Sequence, residues 1–403
     1  MPESQSDRPG LYHHLWFGRN RTWFRLLARH WRQIDRRHLP RAVATTLAVT
    51  LSTPLRLAES AAYTWKYSSV EVTPPLWIVG HWRSGTTNLQ HLLLQDDQFG
   101  IVSLRHCVVP DGYLYFSWLY RLFAARKVPQ SRPMDNVPTG LEAPMSEDFA
   151  LSGLSDLSHY SGYYFPNQLE ETFRRTVLFE GVTQEEIDRW CNAYVRHLAK
   201  VSIDQGGKRL LLKNPPNAGR MRQVWRTFPD SQFIHQIRDP FAVYKSTVRL
   251  AERFAPMFGL STADPEQLRR DILRRQRLLY DRYYEEAPEI PESHRHEVRH
   301  EDVVADPVGT VEEIYDRFAL GDFEAVRPRL EAYAESQKDY QNNRYHYTPD
   351  EVAAVTAELE PYLERWGYEP PPVGKSAAIS GTAAAADATA SPSVEAIPSQ
   401  ASA

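Results

Sequence analysis

The sequence predicts an α/β fold, a doubly wound parallel sheet flanked by helices, and three apolar runs carry that prediction. Leu76 to Val79, Arg209 to Leu212 and Gln232 to Ile237 have the length and composition of buried strands, and each leads into a segment of helical periodicity. Strands that alternate with helices pair in parallel, because each crossover brings the chain back to the same end of the sheet. With 403 residues, 42% of them hydrophobic and 24% charged, the chain can bury one large core or two modest ones.

The helices mark their own starts. Thr183 and Glu186 form a capping box ahead of Ile187, Trp190, Tyr194, Leu198 and Val201, which share one helical face. Thr348, Pro349 and Glu351 repeat the box with proline at the first helical position. From Gln267 to Glu286 an arginine-rich helix keeps Leu268, Ile272, Leu279 and Tyr283 on one side, and its charges read as a solvated face.

Residues 1–74 read as a helical extension before the α/β domain, which spans 75–372. Residues 8–57 hold ten Arg and one Asp, and on a helical wheel Trp23, Leu27, Trp31 and Ile34 fall opposite Arg21, Arg25, Arg29, Arg32 and Arg36. Such a helix docks on the domain with its arginines in water, lies on an anionic membrane surface or holds an acidic partner. The longest weakly apolar stretch, Ala42 to Leu51, is about half a membrane span, and the amino terminus lacks the order of a secretory signal. A cytoplasmic protein with peripheral membrane contact as an open alternative is the expectation, with Cys107 and Cys191 reduced. A net charge of −4 argues against a nucleic-acid binder working through an overall positive field. Residues 373–403, almost entirely Ala, Ser, Thr, Pro and Gly, are expected to be a disordered tail, since they bury too little apolar surface to offset chain entropy.

The chemistry starts where the first strand ends. "GHWRSGTT", Gly80 to Thr87, lies between a strand and a helix, where backbone N–H groups and the helix dipole cradle an anion, as in folds of the P-loop type. A triphosphate loop would place lysine after its second glycine. Here Thr86 stands in that position and Arg83 comes two residues before Gly85, a displacement that suits a shorter anion. A second constellation, "IRDPFAVYKS", puts Arg238 at the end of a strand and Ser246 about two turns into the helix that Asp239 and Pro240 begin. A guanidinium fork and a hydroxyl can converge there on a second anion. Two anion sites at the carboxyl ends of neighbouring parallel strands call for a ligand with an anionic group at each end of a nucleoside.

In this order and strand context the two motifs resemble those of the sulfotransferases that use 3′-phosphoadenosine 5′-phosphosulfate, over roughly residues 75 to 370. The resemblance implies that Arg83, Ser84, Gly85, Thr86 and Thr87 hold the 5′-phosphosulfate, in the manner of tyrosylprotein sulfotransferases and bacterial members. It implies that Arg238 and Ser246 hold the 3′-phosphate, that Lys213 at the end of "RLLLK" acts beside Arg83 on the transferred group, and that no metal takes part. Cytosolic members close a basic, glycine-containing loop over the cofactor late in the chain. Here Lys338 and Arg344 stand in that region without the glycine, and Arg344 is the candidate. Two family features are absent: Pro215 occupies the place of the catalytic His, and Asn88 that of the adenine-stacking Trp.

The general base is left open. Glu147 and Asp148 end a segment similar to one in bacterial members and are the first candidates, with His106 as the named alternative, while His106 and His159 also read as core histidines. The expected acceptor is a hydroxyl or amine on a small molecule, lipid or carbohydrate, with Tyr113 to Tyr120 and Tyr160 to Phe165 as candidate walls of its cleft. Two other readings stand beside transfer: a P-loop kinase or NTPase, which needs the lysine this loop lacks, and a nucleotide-binding protein without chemistry.

Overall fold

The computed structural model describes residues 10–116, 140–338 and 345–372. The expected tail at 373–403, Arg344 and the aromatics at 117–120 lie outside the described residues. In chain order the elements that position the site are α1 (Asn20–His30), α2 (Leu39–Leu51), α3 (Thr53–Tyr67), β1 (Leu76–Gly80), α4 (Thr86–Leu93), β2 (Phe99–Gly100), α5 (Asp148–Leu154), α6 (Gln184–Asp204), β3 (Arg209–Lys213), β4 (Gln232–Ile237), α7 (Pro240–Phe258), α8 (Pro265–Glu286), β5 (Arg295–Arg299), α9 (His300–Ala305), α10 (Pro307–Phe318) and α11 (Pro349–Trp366). The strands pair in parallel in the order β2-β3-β1-β4-β5, with β1 at the centre.

The alternation of β1 explains the double winding. Leu76 and Ile78 join Leu89 and Leu92 of α4 and Val311 and Ile314 of α10 in one buried cluster. Trp77 and Val79 point the other way, into a larger cluster with Trp190 and Tyr194 of α6 and Phe241 of α7. A strand covered on both faces has no solvated side, which is why β1, β3 and β4 read as nearly continuous apolar runs. The edge strand β5, "RHEVR", buries only Val298 fully and carries no such signal.

Both capping boxes form: Thr183 with Glu186 opens α6, and Thr348 with Glu351 opens α11. Asp239 caps α7, its carboxylate accepting from the Phe241 N–H at 2.9 Å. Both cysteines are unpaired.

The N-terminal helices share the larger core, because Leu15, Trp23, Leu26, Ala42 and Val49 all belong to the cluster that contains Trp77. Trp23 Nε1 donates to Thr46 Oγ1 at 2.9 Å, tying α1 to α2. The face drawn on the helical wheel holds only in part: α1 stops at His30, a 3-10 turn follows, and Trp31 swings out to solvent. The charge run of α8 is likewise only partly solvated. Arg275 is fully buried, its guanidinium 4.8 Å from the Trp82 ring, and Asp271 is buried one turn before it.

Replacing Trp23 by Ala should cost about 3–5 kcal/mol, the range for deleting a buried aromatic. Denaturant unfolding followed by both fluorescence and circular dichroism should give one coincident transition. A separate early transition for the N-terminal helices would show that they are not part of the common core.

Candidate functional site

Two glycines let the β1 loop approach its neighbours. Gly80 has φ +139°, and a Cβ there would lie 2.5 Å from the Gln236 carbonyl oxygen on β4. Gly85 has φ +98°, and a Cβ there would lie 2.3 Å from His300 Nδ1 at the start of α9. Only glycine fits such backbone angles and such proximity. Between them the Ser84 N–H donates to the His81 carbonyl at 3.1 Å, and Arg83 adopts φ +71°, a left-handed conformation that costs a side-chain-bearing residue about 1 kcal/mol or more. Thr86 then begins α4, whose first N–H groups have no acceptor inside the helix and carry its positive dipole end.

The strained turn joins the two motifs. Arg83 Nε donates to Ser246 Oγ on α7 at 2.8 Å, across 163 residues of sequence. Arg238 Nη1 donates to the Arg83 carbonyl at 3.1 Å. Two stretches read separately from the sequence are therefore one constellation at the carboxyl ends of β1 and β4.

Buried polar atoms without partners gather at the same place. They are Ser84 Oγ, both amide heteroatoms of Gln236, Arg238 Nε and both ring nitrogens of His300. Such groups cost about 1–3 kcal/mol each when left unpaired; others occur elsewhere, both ring nitrogens of His197 among them, but these six border one loop, as a polar ligand site would require. Burial, with the Arg238 charge adding to it, lowers the His300 pKa to about 3, so its ring is neutral and offers one donor and one acceptor. Gln236 and His300 were not legible as site residues in the sequence. His300 follows the polar edge strand, and its place beside Gly85 comes from the pairing of Ile237 with Arg299.

On the other side of β1, Lys213 closes β3 in register with Ile78 and is almost fully buried. Its charge acts on Glu147, which is completely buried at the start of α5. Glu147 Oε1 accepts from the Tyr194 hydroxyl at 2.6 Å, and that hydroxyl in turn accepts from Asn214 and Asn217, each at 3.1 Å. Oε2 has no hydrogen-bond partner among the described residues. Burial raises the Glu147 pKa to about 7, with the Tyr194 bond and the Lys213 charge working against the rise.

Asp148 must be separated from Glu147. Its Oδ1 accepts from Arg220 Nη2 at 2.6 Å, and its Oδ2 accepts from Ser158 Oγ at 2.8 Å and His159 Nδ1 at 2.6 Å. Although burial opposes it, the Arg220 and His159 charges hold its pKa far below the usual carboxylate range. A carboxylate so paired is a poor proton acceptor and a structural clamp, and its removal would strand a buried arginine. His159 is tied up in the same clamp. His106 is committed too, bonding Asp204 through Nε2 at 2.9 Å and accepting from the Ser103 N–H through Nδ1 at 3.0 Å. Of the aromatics expected to wall an acceptor cleft, Tyr113, Tyr160, Tyr163, Tyr164 and Phe165 are buried in the larger cluster, while Tyr115 is exposed. Lys338, at the end of the helix Arg327–Ser336, pairs with Glu335 at the surface.

The chain matches the model of the sulfotransferase family over residues 74–325. It is 30% identical over 374 residues to the omega-hydroxy-beta-dihydromenaquinone-9 sulfotransferase Stf3 of Mycobacterium bovis, an alignment covering 91% of this chain and 95% of that protein. The protein of the same name from Mycobacterium tuberculosis matches to the same extent. Among solved structures, sulfotransferase STF9 from Mycobacterium avium aligns with a TM-score of 0.68 at 18% identity, covering 86% of this chain and 92% of that one. Sulfotransferase STF1 from Mycobacterium tuberculosis H37Rv aligns at 0.61, also with 18% identity, covering 86% and 91%. The structural likeness shows the fold.

Two outcomes follow from the geometry. Gly85→Ala should leave the fold intact by circular dichroism but weaken 3′-phosphoadenosine 5′-phosphate by about tenfold or more in calorimetry, because the added carbon displaces His300. For Glu147, the folded chain holds its proton up to about pH 7, while the unfolded carboxyl releases it near 4.5. The unfolded state ionises first, so this residue's contribution to stability is lost as pH rises between those values, by up to about 3 kcal/mol. Glu147→Gln should therefore gain stability relative to the parent chain between pH 5 and about 8 in thermal melts, and an unchanging difference would contradict the raised pKa.

Proposed function

The chain belongs to the sulfotransferase family, and from that premise we propose that it moves a sulfuryl group from 3′-phosphoadenosine 5′-phosphosulfate to the hydroxyl of a lipid or other small-molecule acceptor. The observation that carries the donor is the Arg83 to Ser246 contact with Arg238 on the Arg83 carbonyl, which unites both anion motifs in one site. In this reading the loop Arg83, Ser84, Gly85, Thr86 and Thr87, with the first N–H groups of α4, takes the 5′-phosphosulfate. Arg238 and Ser246 take the 3′-phosphate, and Gln236 and His300 supply neutral hydrogen bonds between them. Arg344 remains the candidate to close the site.

In the transfer the acceptor oxygen forms a bond to sulfur as the bond from sulfur to the 5′-phosphate oxygen breaks. Negative charge grows on that leaving oxygen, and Arg83, Lys213 and the helix N–H groups are the donors to stabilise it. The acceptor proton needs a base, and Glu147 fits better than Asp148: it has an unpartnered oxygen, a neighbouring Lys213 and a pKa near neutrality. The relative Stf3 is described by its action on an omega-hydroxylated dihydromenaquinone, and that description favours a lipid alcohol as the acceptor class here.

The donor assignment is tested by comparing two nucleotides on one variant. Arg238→Ala should weaken 3′-phosphoadenosine 5′-phosphate by about 2–4 kcal/mol, the scale of a lost charge-assisted pair, and adenosine 5′-phosphosulfate distinctly less, since that ligand has no 3′-phosphate and loses only the Arg238 support of the Arg83 carbonyl. Equal loss for both ligands would misplace the 3′-phosphate site. Tight binding of ATP with Mg²⁺ that ignores the substitution would move a kinase reading ahead.

A further inference from the structure

From Leu39 to Trp65 the helices α2 and α3 are turned inside out. The only charged residues in that stretch are Arg41, Arg56 and Glu59, and all three are buried. Arg41 donates to the carbonyls of Gly10 and Gly259 at 2.7 and 2.8 Å. Arg56 reaches Asn20 Oδ1 at 2.6 Å, and Glu59 pairs with Lys200 and accepts from the Tyr115 N–H. What the helices show to solvent in that stretch is uncharged and mostly apolar, with Thr50 and Thr64 the polar exceptions. On α2, Leu39, Val43, Leu47 and Leu51 repeat every fourth residue and all are exposed, Leu51 by 77%. On α3 the row continues with Leu57, Ala61 and Trp65, the last 72% exposed.

Exposed apolar rows of this kind mark a docking surface, since scattered apolar residues are normal but sets aligned along a helix and free of charge are not. Its borders identify the partner. Exposed Arg32, Arg36 and Arg37 precede the first row, and exposed Lys66 follows the last. The one acid in the leading border, Asp35, accepts from Thr262 through both the backbone N–H and the hydroxyl and pairs with Arg37 at 4.0 Å, so the border keeps a net positive charge. Trp31 and Trp65, both largely exposed, stand at the two ends. Apolar side chains between tryptophans and cations are the pattern of a helix lying in a bilayer interface, with its carbons among the acyl chains and its cations at anionic headgroups. No helix among the described residues is long and apolar enough to cross a membrane.

We propose that the exposed face of α2 and α3 seats the protein on an anionic lipid bilayer. This surface is distinct from the basic face of α1 that the sequence brought forward. It also stands apart from the donor site, so its test reads no turnover. If the acceptor is a lipid alcohol, the same seating brings the protein to the phase where such a molecule resides.

The test is flotation of the full chain with vesicles of phosphatidylcholine alone and of phosphatidylcholine mixed with phosphatidylglycerol. The parent chain should float with the mixed vesicles, less at high salt, and the double variant Val43→Asp, Leu47→Asp should bind about tenfold more weakly. Both positions are exposed, so the variant should keep its melting temperature and its affinity for 3′-phosphoadenosine 5′-phosphate. Val304→Asp, a change at an exposed valine on α9, should bind vesicles like the parent chain. Failure of the parent chain to float, or flotation indifferent to the double variant, would overturn the proposal. So would a parent dimer in sedimentation that the double variant turns into a monomer, because the face would then belong to a second copy.

Discussion

The site depends on how closely the loop after β1 can lie against the ends of β4 and β5. Gly80 faces the Gln236 carbonyl and Gly85 faces the His300 ring at distances that exclude any side chain. That approach turns Arg83 into a left-handed conformation, sends its guanidinium to Ser246 and brings its carbonyl to Arg238. The rest of the fold serves the same proximity. Two hydrophobic clusters clamp the sheet from both faces, so the strand ends cannot drift apart without unpacking Trp77 on one side or Ile78 on the other.

Charge is arranged asymmetrically around β1. Toward β4 and β5 stand Arg238, neutral His300 and Gln236, groups suited to hold an anion without strong discrimination by proton uptake. Toward β3 stand Lys213 and Glu147, a cation and a carboxyl whose pKa lies near 7. Such a division suits the proposed transfer, in which the donor binds on one side and a proton moves on the other. Behind both, Arg220 and Asp148 form a buried pair, the Arg220 guanidinium lying over the π face of Trp190 at 4.5 Å, which fixes α5 and with it the position of Glu147. Arg275 beneath Trp82 adds a second buried cation directly behind the loop.

The amino-terminal helices show how charge and exposed apolar surface divide between neighbouring elements. The abundance of arginine drew attention to α1, yet its Trp23 and Leu26 are core residues. The apolar surface lies on the next two helices, where each arginine turns inward to carbonyls and amides that sequence periodicity cannot reveal.

By itself the sequence determined the three central strands, both capping boxes, the glycine loop with its displaced arginine, and the Arg238 to Ser246 spacing. All of these are local: burial on both faces writes a continuous apolar run, a cap is written within four residues, and a phosphate loop within eight. Only the tertiary structure decided what depends on strand order and long-range pairing. It brought Arg83 to Ser246, placed His300 and Gln236 at the loop, assigned Asp148 to Arg220 while leaving Glu147 beside Lys213, and set the tyrosines of residues 160–164 in the core. The physical reason is that a side chain's chemistry is set by the partners and the water around it, and those partners come from segments far away along the chain, through a register that no single segment encodes.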